Sequence, residues 1–189
     1  MFLDLAKKAR TIRRFDVSKS LDKEKLLSVL ECVRLVASAG NLQRIRYLTL
    51  SGEEAPGAFK KVKLGGYLPD DKKPDVSVAP TAYIILATER EEPDLSLAID
   101  VGISAEAIVL YAAELGIGAC IVRNFDKDYF TDLTIKYGYH PFLVIALGYP
   151  SETAEIISAS GTENLKYFKN EEGINCVPKL DLNELILNK

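Results

Sequence analysis

The chain has 189 residues, with 24 Lys and Arg against 27 Asp and Glu and a formal net charge of −3. That length suits a single domain, residues 1–189, with its own core, and the acidic balance argues against a nucleic-acid binder, which carries a basic footprint. Apolar residues make up 48% and charged residues 27%, an ordinary globular composition, but the mean hydropathy of +0.03 calls for either a generous core or an apolar face buried against something else.

The first residues, Met1-Phe2-Leu3-Asp4, put no basic group ahead of an apolar run and read as free of a secretory signal. Residues 3–9 are expected to form a short helix before a basic cluster. Asp22 is placed to cap a second helix, with Glu24 in its first turn. Leu26, Leu30, Val33 and Ala37 follow at helical spacing, and Gly40 is its expected stop. Residues 45–50 alternate apolar and polar side chains, as a strand does. Residues 53–63 are expected to be helical. Residues 64–80 hold Gly65, Gly66, Pro69, Pro74 and Pro80 and read as a long loop of the kind that often carries function.

Residues 82–87 form the short apolar run of a buried strand. Residues 96–115 make the longest expected helix, with Ile99, Ile103, Ala107, Leu110 and Glu114 at three-to-four spacing. Its apolar faces predict a central helix buried on more than one side. Asp100, Glu106 and Glu114 interrupt the run, so it is not read as a membrane span. Gly116 ends it, 118–122 reads as a strand, and Asp126 caps a helix that ends near Gly138. Residues 142–147 are another buried strand. From Ser151 onward periodicity weakens, with a last helix expected at 182–187. This order predicts an α+β fold with helices collected around a small central sheet.

The three cysteines, Cys32, Cys120 and Cys176, are odd in number, far apart and form no CxxC pair. They argue against a disulfide framework and against a zinc site, and they fit a reducing cytoplasm. Cys120, within an expected strand, reads as a buried structural thiol rather than a nucleophile. His140, before Pro141, reads as a loop residue rather than a base.

Three segments could carry chemistry. Five of the eight residues 7–14 are cationic. They are either a solvated helix end or an anion site, in which Arg forks and the Thr11 hydroxyl would meet a phosphate. Ser38, Asn41 and Gln43 lie between a helix end and a strand. They are either a capping turn or a set of donors and acceptors for a heterocycle edge. Gly116 and Gly118 superficially fit a dinucleotide fingerprint, but they end a helix and open a strand, the reverse of what that fingerprint requires. Arg123-Asn124 closes a strand, where sites and plain turns both occur.

Taken in order, these segments resemble the FMN-dependent nitroreductase family, and in particular a smaller nitroreductase-like subgroup. Ala9-Arg10-Thr11-Ile12-Arg13-Arg14-Phe15 resembles its R-R-S-x-R-x-F motif, and Val36 to Gln43 resembles its A-P-S-x-x-N-x-Q segment. Leu115 to Ile121 resembles its helix-to-strand corner. Leu147-Gly148-Tyr149-Pro150 resembles the end of its last core strand. Lys166-Tyr167-Phe168 and Val177-Pro178-Lys179 resemble the subgroup's tail. Ala9 stands where the family has its first phosphate-binding Arg, and Leu180-Asp181 where a further Arg is common.

The resemblance implies a central mixed, mostly antiparallel sheet surrounded by helices, in a domain-swapped-style homodimer. Residues 151–189 would be a C-terminal extension wrapping the partner subunit. FMN would sit at the subunit interface, with Arg10 and Thr11 on its phosphate, Arg13 near the N1–O2 edge of the ring and Lys179 returning to the phosphate. Ser38, Asn41 and Gln43 would contact the flavin from the other subunit. The backbone of Ile121, Val122 and Arg123 would lie against the ring. The flavin carries the chemistry, so no catalytic side chain and no metal are implied. The implied activity is cytoplasmic electron transfer from NADH or NADPH to a nitroaromatic, quinone or related small acceptor by a ping-pong mechanism, without nucleic acid or membrane as partner. The Ala9 and Leu180 departures keep a flavin carrier without turnover as the alternative. A non-flavin dimer that binds another anion ranks last, because it leaves Ser38, Asn41 and Gln43 without a role.

Overall fold

Strands β2 (Ala82–Thr88) and β4 (His140–Gly148) form the centre of the molecule and are almost wholly buried, because helices cover both faces of their sheet. The computed structural model describes residues 1–66 and 68–188. Tyr67, inside the expected 64–80 loop, and Lys189, at the end of the expected 1–189 domain, lie outside the described residues. With β1 (Ile45–Ser51) and β3 (Gly118–Val122) the sheet runs β1-β2-β4-β3, every neighbour antiparallel. A parallel bridge from Thr11 to Ala119 adds a further rung at the β3 edge. The sheet is therefore mixed and mostly antiparallel, as expected.

Side chains alternate between two layers. Ile84, Leu86, Ile145 and Leu147 face α4 (Leu95–Glu114), while Tyr83, Ile85, Val144 and Ala146 face α3 (Ala55–Phe59) and α5 (Lys127–Thr134). Burial on both faces removes the apolar–polar alternation that a half-exposed strand shows, which is why these strands read as continuous apolar runs. The Asp94 carboxylate caps α4 by accepting from the Leu97 amide at 2.8 Å. By length and composition α4 could cross a membrane, but Leu97, Val101, Ala105, Ile108 and Ala112 are packed in the core beneath it.

Several elements differ from expectation. The second helix, α2 (Lys23–Leu30), stops early and passes into a 3-10 turn over Glu31–Arg34. Val33 still packs on the core, but Leu35 is 82% exposed, so the apolar stripe runs out before Gly40. Residues 53–63 hold the end of a 3-10 turn over Gly52–Glu54 and the one-turn α3, and a turn after Phe59 ends the run. The helix α4 is buried on more than one side, as expected, against the sheet and against α2 and the turn after it, but one stripe stays open, with Ile99 53% and Ile103 39% exposed. His140 is not a loop residue but begins β4, opposite Thr88. The tail carries a second sheet, β5 (Ala154–Ala159), β7 (Asn175–Leu180) and β6 (Phe168–Lys169), with β5 and β7 parallel. No residue of β5 is fully buried, so the hydrophobic alternation that betrays a strand is weak there. Helices α1 (Phe2–Lys8) and α6 (Leu182–Leu185) close the two ends.

Two glycines let the segment after α1 seat itself on the sheet. A Cβ on Gly118 would stand 3.0 Å from the Ile12 side chain, and one on Gly148 would stand 2.8 Å from the ring of Phe15, which is completely buried. Gly148→Ala is therefore an overpacking substitution. It is expected to destabilise the protein by about 1–3 kcal/mol, read as a lower urea midpoint with an unchanged slope.

Candidate functional site

The cationic segment divides: Lys7 and Lys8 are the exposed last turn of α1, and residues 11–16 run along the strand edge. Ile12 donates its amide to the Ala119 carbonyl at 3.0 Å, and Phe15 and Asp16 donate theirs to Val78 and Tyr149. Ile12 and Phe15 point inward, which leaves Thr11 exposed and Arg13 half-buried. Arg13 and Arg14 do not continue the pairing with β3. Their amides turn to one oxygen of Glu152, at 2.6 and 3.1 Å, and the other oxygen accepts from Asn175 Nδ2 at 2.7 Å. This carboxylate ties the cationic segment to the tail sheet.

The edge of β3 beyond Ala119 is consequently open. Ala119 turns its carbonyl away from β4 toward Ile12, and strand alternation turns the main-chain groups of Ile121 the same way. Ile121 is 42% exposed and Arg123 is exposed, its guanidinium 4.7 Å from the Phe142 ring centroid. Val122 buries its side chain in the opposite layer, so only its main chain belongs to this surface. Lys63 and Asp126 pair their amides with the Asn124 and Lys61 carbonyls, which starts the 64–80 loop beside the strand end. Arg13 lies between that loop and the tail. Its Cδ is 3.7 Å from the position of a Cβ on Gly65, and its guanidinium is 5.9 Å from the Tyr167 ring centroid.

Arg10 behaves differently from Arg13. Its Nη2 donates to the Ala6 carbonyl, and its Nε is buried with no hydrogen-bond partner among the described residues. Ala9 is 6% exposed and packs in the core. Arg10, Ile12, Gly116 and Glu152 line a cleft of about 230 Å³ against the carboxyl end of α4. Lys179, on β7, is exposed and makes no hydrogen bond or ion pair with this group among the described residues.

The second group is a tight turn. Ala39–Asn41 is a 3-10 turn, and Gly40, Asn41 and Gln43 all have positive φ, at 56°, 55° and 49°. Such angles are uncommon for residues with a Cβ, though Asn tolerates them. The Ser38 hydroxyl accepts from the Gln43 amide at 3.3 Å, and Gln43 Nε2 donates to Asn41 Oδ1 at 3.2 Å. The three side chains thus stand together on an exposed turn, as the heterocycle reading requires. The turn rests on α4 through Asp100, whose Oδ1 accepts from the Ala39 amide at 2.9 Å.

The two groups are not together within one chain. The turn sits at Asp100 and the cationic cleft at Ala113, about 20 Å apart at ~1.5 Å per helical residue. A second cleft beside the turn, lined by Ser38, Gln43 and Ser104, holds about 150 Å³. Both are smaller than the ~300–1,000 Å³ of ordinary small-molecule sites.

Sequence reasoning missed Glu152 and Asp100. Each had a faint signal: Glu152 follows the Gly148-Tyr149-Pro150 corner, and Asp100 is a charge inside an apolar helix. His140 and Cys120 form no catalytic pair. Cys120 pairs with Ala146 across β4, six residues from His140, or about 20 Å along the strand. No cluster of three His, Cys, Asp or Glu side chains suited to a metal occurs among the described residues.

A model of the nitroreductase family matches residues 6–149. Among solved structures, the fold resembles a nitroreductase family protein from Streptococcus pneumoniae TIGR4, with a TM-score of 0.68 and 22% identity over 89% of this chain and 100% of that one. It also resembles an FMN-dependent nitroreductase from Clostridium difficile R20291, with a TM-score of 0.63 and 24% identity over 89% of this chain and 99% of that one. A Desulfovibrio desulfuricans protein solved in complex with FMN matches with a TM-score of 0.67 and 18% identity over 100% of this chain and 96% of that one. At these identities the likeness is one of fold. None of the curated proteins matches the chain in sequence.

Burial pushes the Cys120 thiol up to about 11, so almost no thiolate exists at neutral pH. Iodoacetamide at pH 8 is expected to leave Cys120 unmodified in the folded protein and to alkylate it fully in urea. Peptide mass spectrometry reads the difference, and fast labelling of folded protein would refute the structural assignment.

Proposed function

The chain belongs to the nitroreductase family, and on that premise we propose that it is an FMN-dependent oxidoreductase taking electrons from NADH or NADPH and passing them to a small acceptor. The observation that carries this reading is the open, cation-flanked edge of β3, where the exposed Ile121 lies past the last rung made by Ile12. A planar heterocycle needs such a surface, and the Ile121 amide gives it a main-chain donor. Bound FMN would supply hydride exchange with the nicotinamide and then with a nitroaromatic, quinone or related acceptor, in ping-pong order.

The chain's own residues would hold and tune that group. The Thr11 hydroxyl and Arg10 would bind the phosphate, with Lys179 returning to it from the tail. Arg13 would stand by the N1–O2 edge, where reduced flavin carries negative charge, and a cation there stabilises it. Main-chain atoms of Ile121, Val122 and Arg123 would lie against the ring. The buried, unpartnered Nε of Arg10 fits an anion ligand, since a cation of this kind gains by pairing.

Ser38, Asn41 and Gln43 would complete the site from a partner subunit. The separation of the two groups along α4 supports this. In a twofold pair with the two α4 helices antiparallel, the turn of one chain meets the cationic cleft of the other. The outer stripe of α4, where Leu95, Ile99 and Ile103 are 78%, 53% and 39% exposed, is apolar enough to pack such a pair. The tail carries exposed Leu182 and Leu185, consistent with residues 151–189 as an extension wrapping the partner.

One observation favours a second reading, a flavin carrier without turnover. Ala9 is buried where the family motif has a cation, and Arg10 is turned back onto Ala6, which weakens the phosphate grip. A visible spectrum separates the readings. Purified protein with added FMN, freed of excess, is expected to be yellow and to bleach on anaerobic NADH or NADPH. Colour that neither reductant bleaches favours the carrier, and colourless protein overturns both.

Ile103→Glu tests the assembly. Burying a carboxylate in an apolar interface is costly, so the dimer constant is expected to fall at least ~100-fold. Flavin should be lost in parallel, as followed by analytical ultracentrifugation at 280 and 450 nm. A monomer that keeps full flavin affinity would show that one chain holds the whole site.

A further inference from the structure

We propose that Asp100 is the positioning residue of the flavin-facing turn: its buried carboxylate fixes the Ala39 amide and so holds Ser38, Asn41 and Gln43 in the arrangement that receives the ligand. The receptive half of this proposal rests on the flavin reading above, and the structural half does not.

The turn has little else to hold it. Three of its residues adopt positive φ, a conformation that Gly40 and Asn41 tolerate but that is unfavourable for Gln43. Leu42, its one large apolar residue, is 63% exposed, so burial does not anchor it. The bonds among Ser38, Asn41 and Gln43 shape the turn but do not attach it to anything. Among the described residues, two hydrogen bonds reach outside. One runs from Arg46 Nη1 to the Gln43 carbonyl at 2.8 Å, from a long, exposed side chain. The other is the Ala39 amide to Asp100 Oδ1, and Asp100 is 3% exposed on a helix packed into the core. The first reaches the turn through a flexible side chain of β1, and the second ties it directly to a buried residue of α4.

The chemistry of that acceptor is also telling. Asp100 Oδ2 is buried with no hydrogen-bond partner among the described residues. Among the described residues the Asp100 side chain therefore meets a single donor, the Ala39 amide, and a hydrogen bond in a low-dielectric setting is strengthened. A buried carboxylate with one oxygen unmet is a costly way to stabilise a fold. It suits a residue whose work is to fix the place of one amide. Asp100 touches no ligand itself and acts through the backbone from Ala39 to Gln43.

Asp100→Ala and Asp100→Asn in the full chain test this, with hydrogen exchange of peptides spanning 38–43, FMN affinity by fluorescence quenching, and the urea midpoint. Asp100→Ala is expected to speed exchange of the turn at least ~10-fold while α4 peptides stay protected. It should weaken FMN binding at least ~10-fold, which corresponds to ~1.4 kcal/mol. Asp100→Asn keeps an oxygen for the Ala39 amide and is expected to restore both to within about threefold. Unchanged exchange of the turn in Asp100→Ala overturns the proposal. So does weakened FMN binding that Asp100→Asn fails to restore, or that follows the urea midpoint alone. If Asp100→Ala does not fold, Asp100→Ser, too short to reach the amide, takes its place. Wild-type protein that binds no FMN overturns the flavin reading and the receptive half, and the exchange data still decide whether Asp100 holds the turn.

Discussion

The seating of residues 11–15 against β3 and the end of β4 is the constraint from which the rest follows. Ile12 and Phe15 fill the space left by Gly118 and Gly148, and the main-chain bonds to Ala119, Val78 and Tyr149 fix the register. That register decides which side chains face out, leaving Thr11 exposed and Arg13 at the rim. It also decides where pairing ends. Glu152 collects the Arg13 and Arg14 amides and thereby stops the segment from running on along β3. One carboxylate thus sets the length of the rung, the open edge beyond it and the attachment of the tail sheet through Asn175.

The helix α4 imposes the second distance. Its inner face is committed to the core, so its two ends cannot move relative to the sheet. The turn at Asp100 and the cleft at Ala113 are fixed about 20 Å apart by helical rise. In the proposed dimer, a second copy related by a twofold axis would close that gap. The apolar outer stripe lies between the two stations. The composition fits this geometry: the excess of apolar residues that opened two alternatives goes partly into a core covered on both faces and partly into exposed Leu and Ile on α4 and the tail.

Much of the architecture was legible in the chain, for identifiable reasons. The strand at 118–122 and the caps Asp22 and Asp126 were readable because they depend on local chemistry: glycine corners and short acceptors ahead of a helix. The early end of α2 was not, because helical spacing persists through Val33 while the surface it could bury does not. The tail strands were hidden for the opposite reason. They pair well, but β5 buries no residue fully and β7 buries only Cys176 and Pro178, so apolar alternation is weak there. Of the candidate site, Thr11, Arg13, Ser38, Asn41 and Gln43 were legible as residue types in motifs. Glu152 and Asp100 were not, since a carboxylate that accepts main-chain amides looks in sequence like any other acidic residue.

The arrangement depends more on main chain than on reactive side chains. Cys120 is buried and held in its thiol form, and the only imidazole stands at the far end of β4. What the surface offers is an unpaired strand edge, cations at its rim and amides fixed by two carboxylates, Asp100 buried and Glu152 half-buried. Such a site asks for a ligand that brings its own reactivity and needs to be placed, flattened and electrostatically tuned. The chemistry then tolerates wide substitution as long as backbone geometry holds. The residues least free to change are accordingly those that fix amides and strand register: Gly118, Gly148, Glu152 and Asp100.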